Sequence, residues 1–258
     1  MNKSGNTYSY KSSLGFFSWK YLDWDSKLLN RNAAKIISLN SSKLSEKKIR
    51  IIIQKLKENL VRSRIDYATY RLKASDFLTI HSLEKEGFNL VDGLINLKLD
   101  IAKIVEARPK EVREAEKRDL QYLQELASGS FSETRFYNDF KLEKKYADKI
   151  YEEWIKNSLF GKSADKVLVW VEKNKVSGFI AIKKSGNIVL VAVNKKARGK
   201  KIGRKLVKTA ISYFFKWHLK ESTIETQMTN ISALRAYQAC GYKITDSQLT
   251  FRWMRNEN

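Results

Sequence analysis

The chain has 258 residues, with 50 Lys and Arg against 28 Asp and Glu, a formal charge of +22. Apolar residues make up 43%, charged residues 30%, and there are one Pro and 11 Gly, which suits one large or two small packed domains and excludes disorder, collagen and low complexity. The apolar runs Val167–Val171 and Ile188–Val193 are far shorter than the ~20 residues of a spanning helix, the lone Cys240 excludes an internal disulfide and a metal site with two Cys ligands, and the start, MNKSGNTYSYKSSLGFFSW, has no apolar core before a small-residue cleavage site.

A cytoplasmic location without a membrane span is therefore expected. The basicity fits a nucleic-acid binder, a membrane-surface protein or an enzyme of polyanionic ligands. In chain order, residues 40–62 predict a helix with Ser45 as N-cap and Ile49, Ile52, Ile53, Leu56 and Leu60 on one face. An alternating strand over 66–72, a helix over 75–86 ended by Gly87, and a strand over 88–99 follow. Residues 107–110 hold the only Pro and are taken as the boundary between an N-terminal α/β domain, 1–105, and a second domain, 106–258. The second reads as a strand over 112–115, helices over 116–128 and 147–157, and strands over 166–171, 176–183 and 187–193. A helix over 203–218, a strand over 223–227, a helix over 232–240 and a last strand over 242–253 complete it. The predicted class is α+β, with a central mixed, mostly antiparallel sheet flanked by helices.

An internal echo runs through the chain. Leu72–Leu99 aligns without a gap on Thr226–Trp253, 154 residues on, with Gly87 on Gly241, Phe88 on Tyr242 and Asp92 on Asp246. The identities are few. If the echo is real, the N-terminal region is a degenerate half-copy of the C-terminal fold, with Leu83 where Tyr237 stands.

The most informative segment is IVLVAVNKKARGKKIGRKLVKTA, from Ile188. A buried strand feeds a basic, Gly-containing turn and then an amphipathic helix. The unpaired N–H groups of a helix start, with the helix dipole, bind phosphate oxygens. Gly199 and Gly203 permit close approach. Eight Lys and Arg lie between Lys195 and Lys208 with no acid among them. There is no GxxxxGK[ST] and no GxGxxG. A basic solvated helix start is the alternative on the turn alone.

The run Ala197-Arg198-Gly199-Lys200-Lys201-Ile202-Gly203 resembles the acetyl-CoA signature [QR]-x-x-G-x-[GA] of the GNAT N-acetyltransferases, departing at Lys201, where the pattern has Gly. Downstream, Asn230 through Tyr242 is similar to that family's N-x-x-A-x-x-x-Y-x-x-x-G-[FY] segment. Shorter blocks, Leu22–Ser26, Glu86–Gly93, Arg135–Asp139, Tyr151–Ser158 and Thr226–Asn230, are similar to the branch that acetylates dTDP-linked 4-amino-4,6-dideoxygalactose for bacterial cell-surface glycans. Leu28, Leu29 and Asn30 replace a more aromatic stretch of that branch.

The resemblance implies direct transfer from acetyl-CoA, as cosubstrate and without a metal, to the amine of a nucleotide-linked amino sugar. Under it the cofactor lies along Leu190, Val191, Ala192 and Val193, on the turn of Arg198, Gly199, Lys200, Lys201, Ile202, Gly203 and Arg204, and against Asn230, Ala233 and Tyr237. A bulged strand supplies an oxyanion donor, with the N–H groups of Val191 and Val193 as candidates. Tyr237 is the general acid for the thiolate, and Asn230 contacts the pantetheine, orders water or caps a helix. Cys240, His81 and His218 read as structural. The base is open, with Asp139 and Glu133 as contributors. Arg135, Tyr137 and Asp139 are the acceptor-side candidates, Arg135 for phosphate and Tyr137 for stacking. A homodimer is also expected.

Three other functions stay open: acetylation of another amine such as a peptide N-terminus or small-molecule amine, a non-catalytic CoA-binding protein, and a basic nucleic-acid binder. The high positive charge disfavours polycationic acceptors. No nucleic-acid-binding signature appears and the aromatics are not interleaved with the basic run, so no nucleic-acid partner is expected.

Overall fold

The computed structural model describes residues 2–4, 6–40, 45–101 and 109–255. The chain divides into two compact units, residues 1–93 with 247–258, and residues 94–246. This differs from the expected division into 1–105 and 106–258. The first unit also takes the chain's last strand, and the expected cut lies outside the described residues.

Unit 1 is a six-stranded sheet covered by two helices. Its strands are β1 (Asn2–Ser4), β2 (Thr7–Ser12), β3 (Gly15–Tyr21), β4 (Ala33–Leu39), β5 (Tyr67–Lys73) and the chain's last strand, β12 (Lys243–Met254), with α1 (Asp23–Leu29) between β3 and β4. The sequence reading had no elements for these first 40 residues. β4 and β5 run parallel, joined through α2 (Glu46–Arg62), while the other neighbours are antiparallel. The predicted apolar stripe of α2 is the stripe it buries, together with Ile80 and Leu83 of α3 (Phe77–Lys85), against Phe17, Trp19, Ile36, Tyr70 and Phe251. The helix begins at Glu46; residues 41–44 of the longer predicted helix lie outside the described residues.

The chain leaves unit 1 within β6 (Asn89–Asp100), whose residues from Leu94 on belong to unit 2. There follow β7 (Val112–Glu114), a 3₁₀ turn at Lys117–Asp119, α4 (Leu120–Ala127), the one-turn α5 (Arg135–Asn138) and α6 (Lys144–Leu159). Strands β8 (Lys166–Glu172), β9 (Lys175–Ile182) and β10 (Asn187–Val193) lead to α7 (Ile202–Lys216), β11 (Glu221–Gln227), α8 (Ile231–Gln238) and β12 (Lys243–Met254). The strand order in unit 2 is β6-β11-β10-β9-β8-β7. α7 and α8 bury Leu206, Val207, Ala210, Phe214 and Tyr237 against Leu168, Trp170, Ile180, Ile188 and Ile224.

The two units repeat one design. Adding 154 to the residue number carries β4 onto β10, β5 onto β11 and β6 onto β12, end to end. α2 and α7 end at equivalent residues, and each is followed by a left-handed residue, Arg64 (φ 56°) and His218 (φ 58°). Asp76 and Asn230 are equivalent N-caps, accepting from the N–H groups of Thr79 and Ala233. Gly87 (φ 81°) and Gly241 (φ 93°) close the equivalent helices α3 and α8. The copies exchange their last strands. β6, which follows α3, pairs with β11 from Leu94↔Gln227 to Asp100↔Glu221. β12, which follows α8, pairs with β5 over the equivalent residues, Gln248↔Lys73 to Met254↔Tyr67. Unit 2 adds α4, α5 and α6 between β7 and β8, its first two complete strands, where unit 1 has no helix.

Candidate functional site

The open feature of unit 2 is a splayed parallel pair. β10 and β11 pair at Asn187↔Thr223 and Ile188↔Ile224, and the register goes no further. From Leu190 on, β10 keeps only β9 as a neighbour, after a bulge that skips Val189. The Asn194 N–H donates to the Ser177 carbonyl at 2.8 Å. Alternation along an antiparallel pair then turns the N–H groups of Ala192 and Leu190 toward β9, and those of Val191 and Val193 toward the splay. The two predicted oxyanion donors thus face an opening in the sheet without a β11 partner.

The basic turn begins beside this opening. Asn194 caps the 3₁₀ turn Lys195–Ala197 by accepting from the Lys196 N–H. Gly199 has φ +83° and Lys201 φ +61°. Lys201 therefore holds, at a position where the resembled signature has Gly, a left-handed conformation that costs a non-Gly residue about 1–2 kcal/mol. It is the N-cap residue of α7, and no side chain caps this helix. The first intrahelical donor is the Lys205 N–H, on the Lys201 carbonyl at 3.1 Å. The N–H groups of Ile202, Gly203 and Arg204 point out of the helix start, where the dipole favours an anion. A Cβ on Gly203 would meet only Val193 Cγ2, at 3.7 Å, and one on Gly199 nothing within 4 Å. The protein leaves this surface bare. Ile202 is 2% exposed and anchors the turn. Lys200 pairs with Glu172 at 3.0 Å, and the Lys205 ammonium lies 4.9 Å from the centroid of the Trp170 ring.

α8 brings the second predicted motif to the same half of the unit. The Asn230 Oδ1 accepts from the Ala233 N–H at 3.1 Å and from the Ser232 hydroxyl at 3.0 Å, so it caps the helix. The Tyr237 ring is buried edge-on to Tyr242, centroids 6.4 Å apart. Its hydroxyl makes no hydrogen bond among the described residues and is not among the fully buried unpaired oxygens. Burial holds its pKa well above the ordinary phenol value, so it carries its proton throughout the neutral range. Cys240 is buried, with its thiol 3.7 Å from the Arg204 carbonyl.

The acceptor-side candidates divide. The Tyr137 hydroxyl donates to Asp148 and accepts from the Gly129 N–H, and burial and the Asp148 carboxylate hold it protonated. Its ring belongs to an aromatic group around Tyr151, with Phe131 stacked at 4.4 Å and Trp154 at 5.8 Å. Asp139 is 1% exposed and accepts from the Lys141 N–H. Arg135 is half-buried, its guanidinium 4.4 Å from the centroid of the Phe136 ring. Among the described residues no cluster of His, Cys, Asp and Glu is placed to hold a metal, and no helix is long and apolar enough to cross a membrane.

Residues 122–242 match the Acetyltransferase (GNAT) family. The chain is 24% identical to the spore coat polysaccharide biosynthesis protein SpsD of Bacillus subtilis, over 92% of this chain and 86% of that one. It is also 24% identical to a dTDP-fucosamine acetyltransferase of Escherichia coli O6:H1, over 67% of this chain and 75% of that one. Among solved structures, a tandem GNAT protein from the clavulanic acid biosynthesis pathway superposes with a TM-score of 0.60 at 12% identity, over 99% of this chain and 86% of that one. Bare helix-start donors and an open strand edge fit the pyrophosphate and thioester of acetyl-CoA, the cosubstrate of this family.

Proposed function

We propose that this acetyl-CoA-dependent acyltransferase, whose residues 122–242 form a GNAT domain, acetylates the amine of a nucleotide-linked amino-deoxy sugar of the dTDP-4-amino-4,6-dideoxyhexose type. The observation that carries the reading is the similarity to two proteins named for sugar chemistry, one of them over 92% of this chain. The charge of +22 supports it, because acetyl-CoA and a sugar diphosphonucleotide are both anions drawn by a basic surface.

The residues take these roles. The N–H groups of Ile202, Gly203 and Arg204, with Arg198, Gly199, Lys200 and Lys201 around them, bind the cofactor pyrophosphate. The strand Leu190–Val193 lies along the pantetheine, and the Val191 and Val193 N–H groups polarise the thioester carbonyl and receive the oxyanion. Tyr237 protonates the departing thiolate. A phenol kept neutral by burial suits that task. Asn230 and Ala233 set the start of α8 and so the height of Tyr237. Arg135 offers a bidentate contact to the acceptor's phosphates, while Tyr137 and Asp139 shape the loop that carries it. The reaction runs in the cytoplasm, where acetyl-CoA and nucleotide sugars are made, and feeds a cell-surface polysaccharide.

The test is release of free CoA thiol from acetyl-CoA with a panel of dTDP- and UDP-linked amino sugars, simple primary amines and peptide N-termini. Turnover is expected with dTDP-4-amino-4,6-dideoxyhexoses. Turnover confined to amines without a nucleotide would remove the sugar reading and leave the acetyltransferase.

A further inference from the structure

A general acid delivers its proton only along the line on which its hydroxyl is held, so whatever fixes the Tyr237 ring bears on the transfer. The Tyr237 hydroxyl makes no hydrogen bond among the described residues, so its aim comes from the walls around the ring. One wall is Tyr242. The two rings meet edge-on, with centroids 6.4 Å apart and planes at 60°, and the Tyr242 N–H donates to the Tyr237 carbonyl at 3.1 Å. The same helix end is held on α7, by the Cys240 thiol 3.7 Å from the Arg204 carbonyl.

Tyr242 is itself fixed at its far end. It is 2% exposed, and its hydroxyl lies 2.6 Å from Ser222 Oγ of β11. The Ser222 hydroxyl donates to the Gly186 carbonyl at 2.8 Å. A serine hydroxyl has a single hydrogen, so Tyr242 is the donor to Ser222 and the bonds run one way, from Tyr242 to Ser222 to Gly186. Burial holds the Tyr242 pKa above the ordinary phenol value, and it keeps the proton it donates. Gly186 stands directly before β10. Its φ is +88°, and a Cβ there would meet the Glu221 carbonyl oxygen at 2.6 Å, so only Gly fits. The same Gly186 carbonyl accepts from the Thr223 N–H at 3.0 Å, and the pair Asn187↔Thr223 follows at once. This is the closed root of the splay. The hydroxyl chain therefore joins the ring beside the acid to the root of the strand that carries the Val191 and Val193 N–H groups.

Unit 1 shows that the fold does not need this chain. The residues equivalent to Tyr237, Tyr242 and Ser222 are Leu83, Phe88 and Ala68, so all three hydroxyls are absent together. Leu83, Phe88 and Ala68 are buried in the unit 1 core. The Phe88 N–H donates to the Leu83 carbonyl at 2.9 Å, as Tyr242 does to Tyr237. The helix end, its turn and its packing persist without a hydroxyl. The hydroxyls occur in the unit that has the open splay and the bare helix start.

We propose that Tyr242 and Ser222 are positioning residues for the acetyl transfer, their hydroxyl chain to Gly186 holding the Tyr237 ring in line with the start of β10, a role that rests on the reading of Tyr237 as the acid. Neither hydroxyl touches substrate or gives up its proton in the reaction.

The test is a double-mutant cycle on whichever panel amine wild type acetylates fastest, so a panel in which no nucleotide sugar reacts ends the sugar reading and leaves this comparison standing. Tyr242→Phe is expected to lower kcat about 10-fold, through a sub-ångström loss of aim, with acetyl-CoA affinity within about 3-fold. In a Tyr237→Phe background the same substitution should change kcat by less than about 2-fold, because no acid is left to aim. Ser222→Ala should lower kcat by a similar factor and lower Tm as well, because it strands the buried Tyr242 hydroxyl. Tyr242→Phe together with Ser222→Ala, the pair of residue types that unit 1 carries, should restore Tm and not kcat, since both partners are then apolar. The proposal is overturned by a Tyr242→Phe enzyme within about 2-fold of wild-type kcat, by an equal fall in both backgrounds, or by Tm and kcat that recover together in the double variant. Wild-type kcat in Tyr237→Phe alone would end the acid reading, and this role with it.

Discussion

The two units fold the same order of strands and helices and differ at each place where a cofactor would touch them. In unit 2 the parallel pair β10–β11 ends after two residue pairs; in unit 1 β4–β5 continues through four, from Ala33↔Tyr67 to Ile36↔Tyr70, and stays closed. The bare Gly203 of α7 corresponds to Ile49 of α2, which is fully buried and fills its own helix start. Lys200 corresponds to Glu46, an acid in the first turn of α2 that pairs with Lys85. Tyr237 corresponds to Leu83. A fold can therefore keep its register, caps and turn residues and still lose the site. The site depends on strand splay, an uncovered helix start and one hydroxyl rather than on the topology. The chain leaves unit 1 within β6, and the residues from Leu94 on complete the sheet of unit 2.

The largest test of this contrast sets Tyr237→Phe against a change at its counterpart. Tyr237→Phe should lower kcat ~10²–10³-fold with acetyl-CoA affinity within about 3-fold. Leu83→Ala should cost about 2–5 kcal/mol of stability by opening a cavity in the unit 1 core, with kcat per folded molecule unchanged, measured by denaturant titration and thiol release. Next comes the helix start. Gly203→Val carries bulk beyond the Ala that the signature accepts onto the bare surface, and titration should find acetyl-CoA bound about 10-fold more weakly, about 1.4 kcal/mol. Equal affinity would mean that the bare surface is not used.

Smaller effects follow. Lys201→Gly should gain about 1 kcal/mol by relieving the left-handed strain; a simultaneous fall in acetyl-CoA affinity would place the Lys201 ammonium on the pyrophosphate. The added part of unit 2 carries its own pH signature. Asp119 accepts both arms of Arg113, at 2.7 and 2.8 Å, and the Glu116 N–H at 2.7 Å, and these hold its carboxyl below the ordinary carboxylate range. Its folded pKa is lowered. That stabilisation is therefore complete above the unfolded carboxylate pKa of about 4 and disappears as pH falls through the folded value. Asp119→Asn should remove this acid-side slope from a plot of stability against pH.

Much of this was legible in the sequence. The apolar stripes of α2 and α7 and the strand at 187–193 declared themselves because period and burial coincide there. The echo was visible over 72–99 because Gly87 and Gly241 mark the same helix end. It reaches back to β4 only in the structure, since Ala33–Leu39 and Asn187–Val193 share a shape and hardly a residue. The first 40 residues gave no strand signal because β3 buries Phe17, Ser18 and Trp19 in succession and so breaks alternation. The exchange of β6 and β12 was hidden because register between distant strands leaves no local trace. Tyr137 and Asp139 read as ligand contacts from residue type, and nothing local in the sequence marks that the Tyr137 hydroxyl donates to Asp148 of α6 or that Asp139 accepts from the Lys141 N–H.

The central claim is that two copies of one fold carry a single cofactor site. Calorimetric titration of the full chain with acetyl-CoA tests it most directly. One equivalent per chain is expected, abolished by Gly203→Ile, which places in α7 the residue type found at the start of α2. Two equivalents, or one that survives that substitution, would contradict it.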